Sequence, residues 1–166
     1  MLVPAIEYKE QLEDVWMEYV HHPDFLFWDV PTQFSLTPDI YKEWRKEEYV
    51  CINDKKELIG YVAIWVDKST SSVSDISLAQ FKNDDKTFGW DFLKFLRDCR
   101  RRFRCVRFAC IKGHPMERDY DRLAYMWGGR VVGVFEKKRR LLDGKLYDEK
   151  WYEVPKENPR RKAPSS

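Results

Sequence analysis

Residues Val73–Leu96 read VSDISLAQFKNDDKTFGWDFLKFL, and the rest of the chain is organised around them. The first part, Val73 to Phe81, is rich in apolar and β-compatible residues and predicts a strand. The last part changes period: Phe88, Phe92, Phe95, Leu96 and Cys99 fall on one helical stripe. Between them lies the polar run KNDDKT, followed by Phe88 and Gly89. A strand feeding a helix through a short loop aims the helix's first N–H groups past the strand end. Such an end attracts anions, phosphate oxygens above all.

Toward the N-terminus, the turns DKSTSS and NDKKE separate this strand from two more β-rich runs, Leu58–Val66 and Tyr49–Ile52. Short polar turns between such runs predict an antiparallel meander. Thr37-Pro38-Asp39 is a helix start, a Thr cap before Pro at the first helical position, for a helix running to about Lys46. The aromatic-rich DFLFWDVPTQFSL before it reads as an ordered loop that covers something. Tyr8, Leu12, Val15, Trp16 and Tyr19 recur at helical spacing and predict a first helix over about Glu7–Val20, closed by His21-His22-Pro23. Met1–Pro4 is a very short strand or a disordered start.

Toward the C-terminus, the basic connector RRRFR leads to CVRFACI, Cys105–Ile111, apolar enough for an interior strand. Met116 to about Trp127 predicts a helix stopped by Gly128-Gly129. Arg130–Phe135, extending toward Leu141, and about Lys150–Val154 predict two strands around the hairpin signal Asp143-Gly144. The last residues, 155–166, carry no large apolar anchor and predict a disordered basic tail after one domain, 1–154. The expected fold class is therefore α+β, a mixed, mainly antiparallel sheet flanked by about four helices.

Composition narrows the functional classes. A chain of 166 residues that is 43% hydrophobic can bury one real core, and its 16% aromatic content suits a core or a pocket lining. A net charge of +2 spread over mixed signs does not itself call for nucleic acid. The four Cys show no CxxC pair and no metal-ligand spacing, so reduced thiols are expected. No zinc pattern surrounds His21, His22 or His114. There is no basic-then-apolar leader and no apolar run near the roughly 20 residues that cross a bilayer. A soluble, cytoplasmic protein without membrane partners is the expectation.

The order of elements, with the strand–loop–helix turn at its centre, resembles the GCN5-related N-acetyltransferase (GNAT) superfamily over nearly the whole chain. In that family the loop reads V-x-P-x-x-[QR]-x-x-G-x-[GA]; here Lys86 stands at the Gln/Arg position, Gly89 matches the first glycine and Asp91 departs from the second. Asp84 and Asp85 add negative charge beside the turn. The resemblance implies a V-shaped splay between the fourth and fifth strands, Val73–Phe81 and Cys105–Ile111, holding acetyl-CoA as co-substrate. Ala79, Gln80 and Phe81 would meet the pantetheine arm, and Lys86, Thr87, Phe88, Gly89 and Trp90 the diphosphate. An N–H near Phe81 would polarise the thioester. An ordinary strand–helix connection is the plain alternative.

The resemblance also implies site residues. Tyr125, four residues before Gly129, stands where a tyrosine protonates the departing thiolate; otherwise it is a helix core residue. Asp75 stands where the histone-acetylating members carry a glutamate base; otherwise it is a surface carboxylate. His22, Phe25 and Trp28 border the loop that walls the acceptor site, with an unknown primary amine as acceptor. The basic runs Arg97–Arg107 and Lys137–Arg140 read first as a solvated face, and otherwise as a surface for an acidic protein or nucleic acid. That second use fits the alternative of a degenerate, GNAT-like binding protein of the kind some phages encode.

Overall fold

The computed structural model describes residues 1–20, 46–82, 84–141 and 143–157. Seven strands form one sheet in the order β1-β2-β3-β4-β5-β7-β6. These are β1 (Leu2–Pro4), β2 (Lys46–Ile52), β3 (Leu58–Asp67), β4 (Ser72–Gln80), β5 (Cys105–Ile111), β6 (Arg130–Arg140) and β7 (Leu146–Pro155). Three α-helices are described, the first preceded by a short 3-10 helix at Ala5–Tyr8: α1 (Lys9–Val20), α2 (Thr87–Arg102) and α3 (Glu117–Met126). The second helix expected from Thr37 lies outside the described residues, and Lys46 already belongs to β2, which starts earlier than its apolar residues alone suggest.

Every strand pair is antiparallel except β4–β5. That parallel pair is joined only at Ser72↔Cys105 and Val73↔Val106, after which the strands part. The expected α+β fold with its splay between the fourth and fifth strands is what the chain forms. Sequence chemistry explains the hinge. Ser74 is an extra residue opposite the step from Trp65 to Val66, a bulge that its hydroxyl holds by donating to Trp65 O at 3.1 Å. Such a bulge bends and twists its strand.

Two cores flank the sheet. On one face Phe88, Phe92, Leu96 and Cys99 of α2, with Leu123 and Ala124 of α3, bury against Ile59, Val62, Ile64, Val106, Phe108 and Tyr152. On the other, Leu12 of α1 buries against Val50, Tyr61, Ala63 and Ala79. Gly60 permits the closest approach: a Cβ there would lie 2.3 Å from the Phe88 ring. The α3 end is set by Gly128 at φ +76, with Gly128 N–H donating to Tyr125 O and Gly129 N–H to Ala124 O. This paired closure requires the left-handed turn that glycine allows. Lys156 N–H donates to Arg104 O, so the fold runs past Val154, while residues 158–166 lie outside the described part. All four cysteines are buried free thiols.

Candidate active site

Where β4 and β5 part, a cavity of about 730 Å³ opens. Asp75 to Phe81 and Lys82 form one wall, Ala109 to Ile111 the other, and His114, Met116 and Tyr120 close one end. Glu18 and Tyr19 of α1, with Arg139 and Glu149 of the last hairpin, complete it.

The backbone of β4 is oriented by its pairing with β3. Phe81 N–H donates to Ile59 O at 2.9 Å, and alternate residues of a strand point their backbone groups to opposite sides. Ala79, Ser77 and Asp75 therefore face β3, as Phe81 does, while Ile76, Leu78 and Gln80 face the opening. The Phe81 N–H itself is taken by β3, and the N–H groups near it that face the cleft are those of Gln80 and Leu78. Ile76 N–H is taken by Asp75 Oδ1 at 2.8 Å, which leaves Leu78 and Gln80 as the groups turned toward the gap where β5 has moved away.

The loop beyond β4 is internally bonded. Gln80 Nε2 donates to Lys82 O at 2.9 Å and to Asp85 O at 3.3 Å. Asp85 Oδ1 accepts from Thr87 N–H at 2.8 Å, and Asp85 Oδ2 accepts from Asn53 Nδ2 at 3.1 Å. Lys82 pairs with Glu57 at 2.8 Å. These donors, Thr87 foremost, hold the Asp85 carboxyl below its ordinary range. The opening turn of α2 thus carries a carboxylate of its own. Lys86 precedes the helix with no side-chain cap bond, Phe88 is buried at 3% exposure, and Trp90 is 67% exposed. Space around Gly89 is open. Asp91, at the position of the missing second glycine, accepts from Cys51 Sγ and pairs with Lys94 and the Met1 ammonium.

The catalytic candidates separate. Asp75 lines the cavity. Tyr125 is 68% exposed and is not among the lining residues. The buried face of α3 is carried by Leu123 and Ala124, and Tyr125 and Met126 lie on its outer face. Tyr120, one turn earlier, lines the cavity instead, edge-on to Phe108 and Tyr152, and burial raises its phenol well above the usual value. His114 also lines it. Its Nδ1 accepts from Met116 N–H at 3.0 Å, and burial lowers its pKa, so the neutral ring carries its proton on Nε2. Helical spacing identifies the stripe that holds Tyr120 without saying which end of it meets a cleft, and His114 lies in the turn before α3, where no periodicity marks it.

The acceptor-side candidates His22, Phe25 and Trp28 lie outside the described residues. Much of the basic run is engaged within the fold: Arg102 with Glu47, Arg107 with Glu153, Arg101 with Asp98, and Arg100 with Pro155 O and Lys156 O. No group of residues suited to a metal ion occurs among the described residues, and no described helix is long and apolar enough to cross a membrane.

No family model matches the sequence, and no curated protein matches it. Solved structures do. The protein smu.2055 from Streptococcus mutans UA159 superposes with a TM-score of 0.64 at 15% identity, over 95% of this chain and 99% of that one. A chimera of the spermidine N-acetyltransferase SpeG from Vibrio cholerae with hSSAT gives 0.56 at 14% identity over 70% of each chain. RimL, the ribosomal L7/L12 alpha-N-protein acetyltransferase in complex with Coenzyme A, gives 0.54 at 12% identity over 70% and 65%. The chain has the fold of the GCN5-related N-acetyltransferases, in divergent form.

Proposed function

We propose that the protein transfers an acyl group from acyl-CoA to a primary amine. The observation that carries this reading is the parting of β4 from β5 after two residue pairs, which leaves the backbone of Leu78 and Gln80 facing a cavity of about 730 Å³. A pantetheine arm carries amides and adds to such an edge as an extra strand would. The N–H groups of Leu78 and Gln80 bind those amides or the thioester oxygen, where they stabilise charge that builds during attack. Asp75, directly or through a water, takes the proton that an ammonium acceptor must lose before its nitrogen can attack. The nitrogen–carbon bond forms as the carbon–sulfur bond breaks, and the Tyr120 hydroxyl, kept protonated by burial, gives the departing thiolate its proton. His114 Nε2–H is a second neutral donor at that end.

The diphosphate is the part that fits least well. The opening turn of α2 is where it would rest, and Asp85 already sits on the Thr87 amide. That carboxylate must turn away or a shared site is lost to like-charge repulsion. This one contact favours a second reading, a protein that keeps the fold and binds another partner without turnover. Calorimetry and thermal melts with acetyl-CoA and with pantetheine separate the two. Binding to the native state raises stability by about 2.7 kcal/mol at a hundredfold excess over Kd. Saturable stabilisation by acetyl-CoA, with acetyl release to an amine panel, supports the transferase. A flat melt with both compounds at millimolar concentration establishes the second reading.

A further inference from the structure

The hairpin of β6 and β7 contains a distortion that the core does not require. Pairing steps from Phe135↔Glu149 to Arg139↔Tyr147, so β6 advances four residues while β7 advances two. The surplus is taken up at Lys137, which stands at φ 50 and donates its N–H to Asp148 Oδ1 at 3.1 Å. A lysine in the left-handed region is strained, and strain of this kind persists where the surroundings hold it and gathers at ligand sites. Bulges are one way to re-aim a side chain beside such a site. Here the re-aimed side chain is Arg139. Its Nε donates to Glu149 Oε2, two residues along β7 from its own ladder partner.

Glu149 is 2% exposed, and its other oxygen accepts from Trp151 Nε1 at 2.7 Å. Both Arg139 and Glu149 line the cavity between β4 and β5. The pair is buried on one side only, the Glu149 side chain at 3% and that of Arg139 at 46% exposure, so the fork stays open to the cavity and the pair is weak evidence for stability. Lys82, the other basic side chain in the lining, is engaged with Glu57, which leaves Arg139 and Glu149 as the ionic pair built into the far wall. Asp75 belongs to the near wall on β4. A guanidinium is a planar fork of N–H donors matched to a carboxylate, and a point charge such as Lys does not replace it.

We propose that Arg139, set by the Lys137 bulge and held by Glu149, selects the acceptor. It reads a carboxylate on the molecule whose amine is acylated, so the acceptor is an amino acid or a short peptide with a free carboxyl end rather than a polyamine. This rests on the transferase reading for the chemistry at Asp75, while the recognition itself is a binding property and is measurable without turnover.

The test is calorimetry on the full chain with N-acetylated glycine, leucine, lysine and glutamate, each beside its carboxamide, and with spermidine as the carboxylate-free amine. The expected result is that at least one acid binds tenfold or more tightly than its amide. Arg139→Gln then removes that preference, and Arg139→Lys, which keeps the charge without the fork, fails to restore it at an unchanged melting temperature. Where acetyl-CoA turnover is present, Arg139→Gln raises KM for the acid acceptor tenfold or more with kcat nearly constant. Equal binding of acids and amides, no binding of any acid, a preference that survives in Arg139→Gln, or spermidine binding more tightly than every acid overturns the proposal. Acetyl-CoA is titrated in parallel. A surviving acid preference without acetyl-CoA binding removes the transferase reading and leaves this one standing.

Discussion

Asp85 shows what one side chain decides. From sequence it is one of two negative charges near an anion-attracting helix end; in the structure its Oδ1 caps the Thr87 amide and Oδ2 meets Asn53. The partner residue Asn53 lies far away in sequence, in the turn between β2 and β3, and no local pattern announces it. Asn in place of Asp85 can still accept from Thr87 N–H while losing the charge. We expect Asp85→Asn to bind CoA about tenfold more tightly than the wild type and to bind pantetheine equally well, measured by calorimetry. Equal CoA affinity in the two proteins would show that the diphosphate does not approach this turn. Tyr120 and Tyr125 form the second residue-scale contrast. Tyr120→Phe should lower kcat by about a hundredfold at unchanged CoA affinity, and Tyr125→Phe should leave both unchanged. The reverse pattern would return the acid to Tyr125.

At the scale of elements, periodicity was a sound guide where a face is buried and a poor one where it is not. The apolar stripe of α2 and the near-continuous apolar run of β5 are both found as read, because their burial dictates their composition. The full lengths of β2 and β7 were not legible, while β6 runs to Arg140, close to the extension toward Leu141 read from the sequence. Lys46, Glu47 and Glu48 in β2 and the charged second half of β6 carry ladder bonds without an apolar pattern to mark them. The stop of α3 at Gly128-Gly129 is found as read, yet Tyr125 lies on the exposed side of that helix. How α2 docks on β3 depends on Gly60, against which the Phe88 ring rests. A methyl there would overlap buried ring atoms that have nowhere to go. Gly60→Ala should destabilise the fold by about 2–3 kcal/mol with an unchanged m-value in urea. A loss below about 0.5 kcal/mol would mean that α2 slides freely on the sheet, and the opening turn with it.

For the molecule as a whole, the element order pointed to the sheet and the family resemblance implied its splay, while the side chains that meet across the cleft come from β4, α1, α3 and the last hairpin and were only partly legible. Their joint behaviour with pH follows from the signs of individual shifts. Glu117, Glu153 and Asp91 are held below the ordinary carboxylate range, and burial opposes this in each case. For Glu117 the backbone N–H of Gly113 is the largest cause, and Lys150 adds to it. Glu153 owes the shift to Arg107 and Arg130, and Asp91 to the Met1 ammonium and Lys94. A depressed acid contributes stability above its unfolded pKa and loses it as pH falls through the folded value, so these groups act below about pH 4.5. His114 acts earlier and by a different route. Its folded pKa is depressed below 6.5 by burial, partly opposed by Glu117, so between the two values the unfolded chain binds the extra proton. Stability therefore falls as pH drops below about 6.5, by about 1.4 kcal/mol for each pH unit until the folded value is reached. Asn in place of His114 can accept from Met116 N–H as Nδ1 does but does not titrate. Urea melts from pH 7.5 to 3.5 should show two descents in the wild type and only the lower one in His114→Asn. If the upper descent persists in the variant, the proton taken up below pH 6.5 belongs elsewhere, and the neutral donor assigned to His114 at the mouth of the cleft goes with it.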